Sequence, residues 1–302
     1  MPESRPDADA WLALVVGNTR LHWATVRGDR LLAQWHTRHL TPSEVNALVA
    51  SGFAPPIWAT YQAGNGSLPT QPLGPIPLYA ASVVPAQSQL WMDYPRWHAV
   101  TLGAIPVGNL YGTLGIDRAL NLWAAGGRYG WPVLVVDAGT ALTFTAGDQQ
   151  ALVGGAILPG IRLQFQALGA ETAALPHLDL GAAADGGQGP TRVGDRWATD
   201  TANAIRSGIG HGILATVQDY LTAWTQTYPH GSVVLTGGDG GWIYAQLQQR
   251  LGDRPAFVVP SPDLMARRLH SLSIYHCPDL TFWGLQQYRA KSLASAEEST
   301  AS

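Results

Sequence analysis

Short apolar runs separated by turn residues dominate the first half of the chain. Three of them, Trp11–Val16, Leu21–Val26 and Leu31–Thr37, follow one another closely, and this spacing predicts a three-stranded antiparallel meander. A cap residue at its start and a glycine at its end then predict a helix over Thr41–Gly52. After it the pattern predicts short strands at PIWAT, IPLYAASV and HAVTL, a Gly/Pro-rich loop over residues 64–77, and a helix from about Asp117 to Ala125.

The second half of the chain restarts the same pattern. Apolar runs at Val133–Val136, Ala141–Thr145 and Leu152–Leu158 predict a second meander, after which Pro159 is expected to open a helix through about Leu168. The remaining predictions are an irregular insertion over 180–197, a long helix over 198–228, a strand over 232–236, the loop TGGDGG, a helix over 242–251, a strand over 256–259 and closing helices.

Each half of the chain is therefore predicted to contain a meander, a helix, a strand and a helix, in that order. A unit repeated in this way predicts a duplicated α/β fold with a cleft between two similar domains. We place the domains at residues 11–126 and 127–290, where GGRYGW interrupts the helical pattern between them. The polar segments 1–10 and 291–302 are predicted to be a disordered leader and a disordered tail.

Two short turns occupy matching positions in the two meanders. The first is Gly17-Asn18-Thr19 and the second is Asp137-Ala138-Gly139-Thr140; aligning their glycines places Val15 opposite Asp137. Successive backbone N–H groups in such a turn form a concave donor site for phosphate oxygens, and a carboxylate at a strand end can hold a cation. Two ordinary β-turns remain the alternative on local grounds.

Two further stretches carry candidate chemistry. In TGGDGG, Gly237 and Gly238 let the backbone approach a flat ligand such as adenine, although the spacing is not that of a dinucleotide-binding loop. In GIDR, Asp117 and Arg118 stand at a predicted helix start. Asp117 is either a helix cap or a group that takes a hydroxyl proton, with Arg118 gripping a substrate carboxylate.

Composition excludes several classes of protein. A net charge of -3 without a basic stripe argues against nucleic acid as a partner. The only lysine, Lys291, lies in the predicted tail, which rules out a Walker A loop, a protein-kinase strand lysine and Schiff-base chemistry in the folded part. The single Cys277 suits a reducing cytosol, and no apolar stretch approaches membrane-spanning length, so we expect a cytoplasmic protein without membrane association.

Six motifs in order give the chain a family resemblance. GNT, GIDR, VVDAGTALT, GGAILPGI, TANAIRSG and VLTGG together closely resemble the type III pantothenate kinases, from about Trp11 to Leu285. The resemblance implies duplicated ribonuclease-H-like domains of the actin-like ATPase class. It also implies ATP-dependent phosphorylation of pantothenate, the first step of coenzyme A biosynthesis, with Mg²⁺ and with K⁺ or NH₄⁺ as cofactors. Finally, it implies a homodimer with pantothenate sites at the subunit interface.

The resemblance assigns roles residue by residue. Asp117 is the expected base toward the pantothenate hydroxyl, and an ordinary carboxylate suffices because phosphoryl transfer depends mainly on positioning and charge stabilisation. Asp137 is the expected ligand of the monovalent cation. The expected pantothenate contacts are Tyr111, Gly115, Ile116, Asp117, Arg118 and Thr201. The expected ATP contacts are Val16, Gly17, Asn18, Thr19, Arg20, Leu21, His22, Thr140, Gly237 and Gly238.

The first turn departs from the family pattern at two charged positions. The family usually reads Asp-x-Gly-Asn-Thr-x-x-Lys, whereas this chain has Val15 for the aspartate and His22 for the lysine. We hypothesise that the two charges form a cross-hairpin pair in relatives and were lost together, weakening the hold on Mg·ATP. Two alternatives to an active pantothenate kinase follow: a non-catalytic member that binds nucleotide or pantothenate as a regulator, and a kinase of the same fold for another acid or sugar.

Overall fold

The computed structural model describes residues 10–64, 66–178, 193–252 and 272–301. The chain divides into two compact units. The first consists of the chain up to Pro106, Leu110–Ala124 and the chain from Thr281 onward, and the second consists of Val107–Asn109 and Ala125–Leu280.

The first unit is built on a five-stranded mixed sheet. Its order is β3-β2-β1-β4-β5, with the β1–β2–β3 meander antiparallel and β1, β4 and β5 parallel to one another. The elements are β1 (Ala10–Val16), β2 (Leu21–Arg27), β3 (Arg30–Thr37), α1 (Pro42–Ala50), α2 (Pro55–Tyr61), β4 (Leu78–Ser82), α3 (Pro85–Gln89), β5 (Trp97–Ala99) and α4 (Ile116–Tyr129), whose last residues belong to the second unit.

The second unit repeats this topology. Its sheet order, β8-β7-β6-β9-β10, has an antiparallel meander followed by two parallel strands, as in the first unit. The elements are β6 (Val133–Ala138), β7 (Ala141–Asp148), β8 (Ala151–Pro159), α5 (Ile161–Glu171), α6 (Thr201–Thr227), β9 (Ser232–Thr236), α7 (Gly240–Gly252) and β10 (Ser273–His276). The helix α8 (Leu280–Ala301) ends the described chain. The predicted duplicated α/β fold is therefore confirmed.

Aromatic side chains fill the core of the first unit. Trp23 lies between Trp58 and Trp91, with ring centroids 4.8 and 5.4 Å away, and its indole N–H donates to the Thr37 hydroxyl at 3.0 Å. Trp58, on α2, donates to the Phe53 carbonyl at 3.1 Å. The core of the second unit is aliphatic by comparison, with the strands β6, β7 and β9 packed on α5, α6 and α7.

The segment PIWAT was predicted as a strand and is instead the helix α2. Consecutive prolines favour this outcome, because proline suits the first turn of a helix but cannot donate in a strand ladder. The segment HAVTL is a strand only as far as Ala99, and a short 3₁₀ helix follows at Leu102–Ala104. Pro159 ends β8, so that Gly160 rather than the proline leads into α5.

Other boundaries also differ from the sequence-based expectation. The helix predicted to end near Ala125 continues to Tyr129. Within it, Gly126 packs against a tryptophan: a Cβ there would lie 2.1 Å from the ring of Trp131. The predicted disordered tail is helical through Ala301, and β10 was not predicted. The predicted strand over 256–259 and most of the insertion over 180–197 lie outside the described residues, as does the leader up to residue 9.

Candidate active site

The turn between β1 and β2 is a closed four-residue turn. The Gly17 amide donates to the Arg20 carbonyl at 3.0 Å, and the Gly17 carbonyl accepts from the His39 ring Nε2 at 2.8 Å. The side chains of Val16 and Leu21, which flank the turn, are buried in the tryptophan core. Of the predicted ATP contacts in this stretch, those two can therefore offer only backbone atoms.

Asp117 lies in the first turn of α4 with its carboxylate packed against backbone. Its Oδ1 accepts from the Arg118 amide at 2.8 Å, so the carboxylate satisfies a backbone N–H at the helix start, as the capping interpretation expects. A Cβ placed on Gly115 would lie 2.5 Å from Oδ1, so only glycine leaves room for this carboxylate position. Burial raises the pKa of Asp117, while the Arg118 amide and guanidinium oppose that rise. The sequence did not anticipate a raised pKa.

Contacts within the first unit connect the turn to Asp117. Val83, just after β4, donates its amide to the Val16 carbonyl at 3.1 Å, and its Cγ1 lies 3.9 Å from a Cβ placed on Gly115. The carboxyl ends of the parallel strands β1 and β4 therefore bring the turn and the carboxylate to one edge of the sheet, where α/β folds usually bind ligands.

Arg118 and Tyr111 form a donor–acceptor pair beside Asp117. The Arg118 side chain is buried and donates from Nη1 to the Tyr111 hydroxyl at 3.2 Å, whereas the tyrosine ring is half exposed. The structure therefore places Tyr111, a predicted substrate contact, together with Arg118. The side chain of Ile116 is buried, which leaves its backbone as the part able to meet a substrate.

In the second unit, Asp137 lies at the end of the central strand β6 against a glycine loop. A Cβ on Gly237, whose φ is +83°, would lie 2.5 Å from the Asp137 Oδ1. The Gly139–Thr140 turn lies close to the start of α5, where the Gly160 amide donates to the Thr140 carbonyl at 3.0 Å. The structure thus brings Asp137 and Gly237 together and places the start of α5 against the turn.

Two residues at this edge were not singled out from the sequence. Gly160 packs against the turn so closely that a Cβ there would lie 2.2 Å from the Gly139 carbonyl oxygen. Asp239 donates its amide to the Ala138 carbonyl at 2.8 Å, and burial raises the pKa of its carboxyl to about 6 against the opposing charge of Arg162. A carboxylate inside a glycine-rich loop at a helix start was the available signal for Asp239.

Thr201 is the first residue of α6 and is exposed. The helix is capped by Asp200, whose Oδ1 accepts from the Asn203 amide at 2.9 Å. Gly238, exposed in the loop before α7, has open space where a Cβ would stand. Both positions leave room for a ligand beside the backbone.

The side chains available as metal ligands indicate which kinds of cation the site could hold. Among the described residues there is no group of three or more His, Cys, Asp or Glu side chains arranged to hold a metal ion. A divalent ion that relies on waters and nucleotide phosphates fits such a site, since Mg²⁺ keeps much of its water shell. The Asp137 carboxylate lies beside the Gly237 loop, and its oxygens are of the kind that a hard cation takes as ligands.

Comparisons with known proteins agree on one family. A sequence model of the family described as type III pantothenate kinase matches residues 11–223. The type III pantothenate kinase of Nostoc sp. is 41% identical over 295 residues, covering 91% of this chain and 93% of the relative. That of Thermosynechococcus vestitus is 43% identical over 239 residues, covering 79% and 81% of the two chains.

A solved structure supports the fold alone. A Baf family protein from Campylobacter jejuni superposes with a TM-score of 0.56 over 94% of this chain and 99% of that chain, at 15% identity. Separately, the described helices include none with the length and apolar character needed to cross a membrane.

Proposed function

The chain belongs to the type III pantothenate kinase family, and we propose from this premise which residues carry its reaction. It phosphorylates pantothenate with ATP in coenzyme A biosynthesis, on a duplicated actin-like fold. The observation that carries the assignment of roles is the Asp117 carboxylate, held beside Gly115 at the sheet edge that also carries the Gly17–Arg20 turn.

Asp117 acts as the base toward the primary hydroxyl of pantothenate. Phosphoryl transfer needs this hydroxyl to be oriented and its proton to be accepted as the phosphoryl group arrives. Burial raises the pKa of the carboxyl, which makes it a better proton acceptor once it is ionised. The Arg118 guanidinium and the Tyr111 hydroxyl, already joined at 3.2 Å, are the donors for the pantothenate carboxylate. Exposed Thr201 contributes a further contact.

Each unit, taken by itself, offers candidate nucleotide contacts. The Gly17–Arg20 turn offers backbone N–H groups to the phosphates, as do the Gly139–Thr140 turn and the start of α5. Gly237 and Gly238 allow close approach of the adenosine part. Asp137 would hold K⁺ or NH₄⁺, and Mg²⁺ bound with the ATP phosphates would supply charge neutralisation. A homodimer and a cytoplasmic location belong to the same proposal.

The test is an Asp117→Asn variant in a coupled ADP-release assay with pantothenate, with and without potassium. We expect kcat to fall by about a hundred- to ten-thousandfold, since the amide cannot accept the proton, with pantothenate binding kept within about threefold. In the wild type, kcat should also decrease as the pH is lowered through the raised pKa of Asp117.

The matched control is Asp93→Asn, which changes an exposed carboxylate of the same unit and should behave as wild type. An Asp117→Asn enzyme with more than about a tenth of wild-type kcat would remove Asp117 from the role of base. Wild-type protein that binds pantothenate but releases no ADP would instead be a non-catalytic regulatory member.

A further inference from the structure

A row of three side chains crosses the first sheet next to the Gly17–Arg20 turn. Val15 on β1 is paired in register with His22 on β2, and His22 is paired with His36 on β3. The neighbouring residues on these strands, such as Leu14, Trp23 and Trp35, point to the other face of the sheet and fill the tryptophan core. The row therefore lies on the opposite face of the sheet, one position before the turn.

The two imidazoles of this row, here called the histidine pair, are in direct contact. The Nδ1 atoms of His22 and His36 are 2.9 Å apart, and the ring planes meet at 75°. At this distance one nitrogen donates and the other accepts, since two N–H groups or two lone pairs would repel. The second nitrogen of His22, Nε2, points toward the turn, because a Cβ on Gly17 would lie 3.7 Å from it.

The surroundings of the histidine pair keep it uncharged. Burial, and then the neighbouring charges of His36 and Arg20, lower the pKa of His22 to about 4. Burial and Arg20 also lower the pKa of His36. Arg20 thus disfavours an added proton on both rings, and His36 adds to this effect on His22. A phosphate chain at the turn would reverse this balance, because a neighbouring anion favours the protonated form.

We propose that the histidine pair takes up a proton when the phosphates of ATP bind at the Gly17–Arg20 turn. In the bound state His22 is the imidazolium: its Nδ1–H donates to His36, and its Nε2–H donates to a phosphate oxygen. His36 is a positioning residue that accepts from His22 and fixes its ring. The proposal rests on the proposed function, which makes this turn a phosphate site.

Proton uptake would give His22 the positive charge that a lysine at position 22 carries permanently. A lysine at position 22 would carry its charge before nucleotide binds, whereas His22 acquires its charge with the nucleotide. Because the pKa of the pair is then higher in the complex than in the free protein, affinity for ATP increases as the pH falls. The increase has a limit of about tenfold per pH unit between the two pKa values.

The experiment is calorimetric titration of the full chain with a non-hydrolysable ATP analogue and Mg²⁺ at pH 6.5. Repeating it in buffers of different ionisation enthalpy gives the number of protons taken up per site. We expect His22→Asn and His36→Leu to take up fewer protons than the wild type, by roughly 0.3 to 1 proton. The nucleotide's own protonation contributes to every variant and is removed by this subtraction.

Three further variants test whether the histidine pair takes up a proton or only stabilises the fold. His98→Asn changes an exposed histidine on β5 of the same sheet and should match the wild type. His36→Asn keeps an acceptor for the His22 N–H and should restore part of the uptake lost in His36→Leu. His22→Lys should bind nucleotide with less proton uptake and a flatter dependence of the ATP KM on pH.

The outcomes distinguish this inference from the proposed function. Equal proton uptake by wild type and a folded His22→Asn variant, in protein that phosphorylates pantothenate, would overturn the histidine-pair proposal alone. Absence of any nucleotide binding in the wild type would overturn both. Circular dichroism of each variant establishes that its fold is intact before the titrations are compared.

Discussion

Gly115 shows at the scale of one residue how backbone sets the position of the proposed base. Its missing side chain leaves room for the Asp117 carboxylate, because a Cβ there would lie 2.5 Å from Oδ1. The contact involves the end of the Asp117 side chain, so a methyl group at position 115 acts directly on the carboxylate. The carboxylate or the helix start must therefore move.

We expect Gly115→Ala to lower kcat by about a hundredfold, because a displacement near 1 Å in a positioned catalytic group has effects of that size. The matched control is Gly112→Ala, where a Cβ would have no neighbour within 4 Å and kcat should stay within about twofold of wild type. Steady-state kinetics with pantothenate and ATP measure both. Equal kcat values for the two alanine variants would contradict the packing argument.

The histidine pair was only partly predictable from the sequence. The sequence indicated that Val15 and His22 stand where relatives carry charges, and the strand register confirms that these two positions face each other across the hairpin. His36, fourteen positions from His22 along the chain, could not be identified, because its role depends on the pairing of β2 with β3. Similarly, the sequence contained Asp239 but gave no measure of its burial.

At the scale of elements, α2 is the clearest case of tertiary packing deciding a segment. PIWAT has the composition of a short strand, yet two prolines begin a helix that places Trp58 among Trp23, Trp35 and Phe53. The helix is short, so packing of the tryptophan rather than helix propensity stabilises it. The five residues of PIWAT do not by themselves predict this packing of Trp58.

We expect Trp58→Ala to lower the free energy of unfolding by about 3–5 kcal/mol, through lost burial and the cavity left behind. The comparison is Trp197→Ala, since Trp197 is 87% exposed and its removal should change the free energy of unfolding by less than about 0.5 kcal/mol. Urea denaturation followed by circular dichroism gives both values. Similar losses for the two variants would show that the α2 packing contributes little.

At the scale of the whole molecule, the two units repeat one topology with different chemistry at equivalent places. The row Val15, His22 and His36 in the first sheet corresponds to Asp137, Thr143 and Ile157 in the second. Both rows stand beside the turn that follows the central strand. The two sheets thus carry equivalent turns, of which only the second has a carboxylate at its base.

Titratable groups in the two units act on stability in opposite directions. The pKa of His22 is about 4, below its ordinary 6.5, so the unfolded chain binds more protons and stability falls as the pH drops from 6.5 toward 4. The pKa of Asp239 is about 6, above its ordinary 3.8, so the folded chain binds more protons and stability rises as the pH drops from 6 toward 3.8.

Urea unfolding at pH 7 and pH 5 tests this opposition. On acidification, His22→Asn should lose roughly 2 kcal/mol less stability than wild type, and Asp239→Asn should lose roughly 1 kcal/mol more. His230→Asn, which changes an exposed histidine, should lose as much as wild type. The assignment of the two groups fails if all three variants show the same loss.

The sequence by itself determined the duplication, the meanders and most of the long helices, because periodicity, turn residues and caps are local properties of the chain. It also determined the family and the candidate base Asp117 through residues that occur in a fixed order. Only the tertiary structure decided where α2 and α4 begin and end, and which side chains meet at the sheet edge. Contacts such as His22 with His36 and Gly115 with Asp117 depend on strand register and backbone approach, and these are set when the sheets and helices pack together.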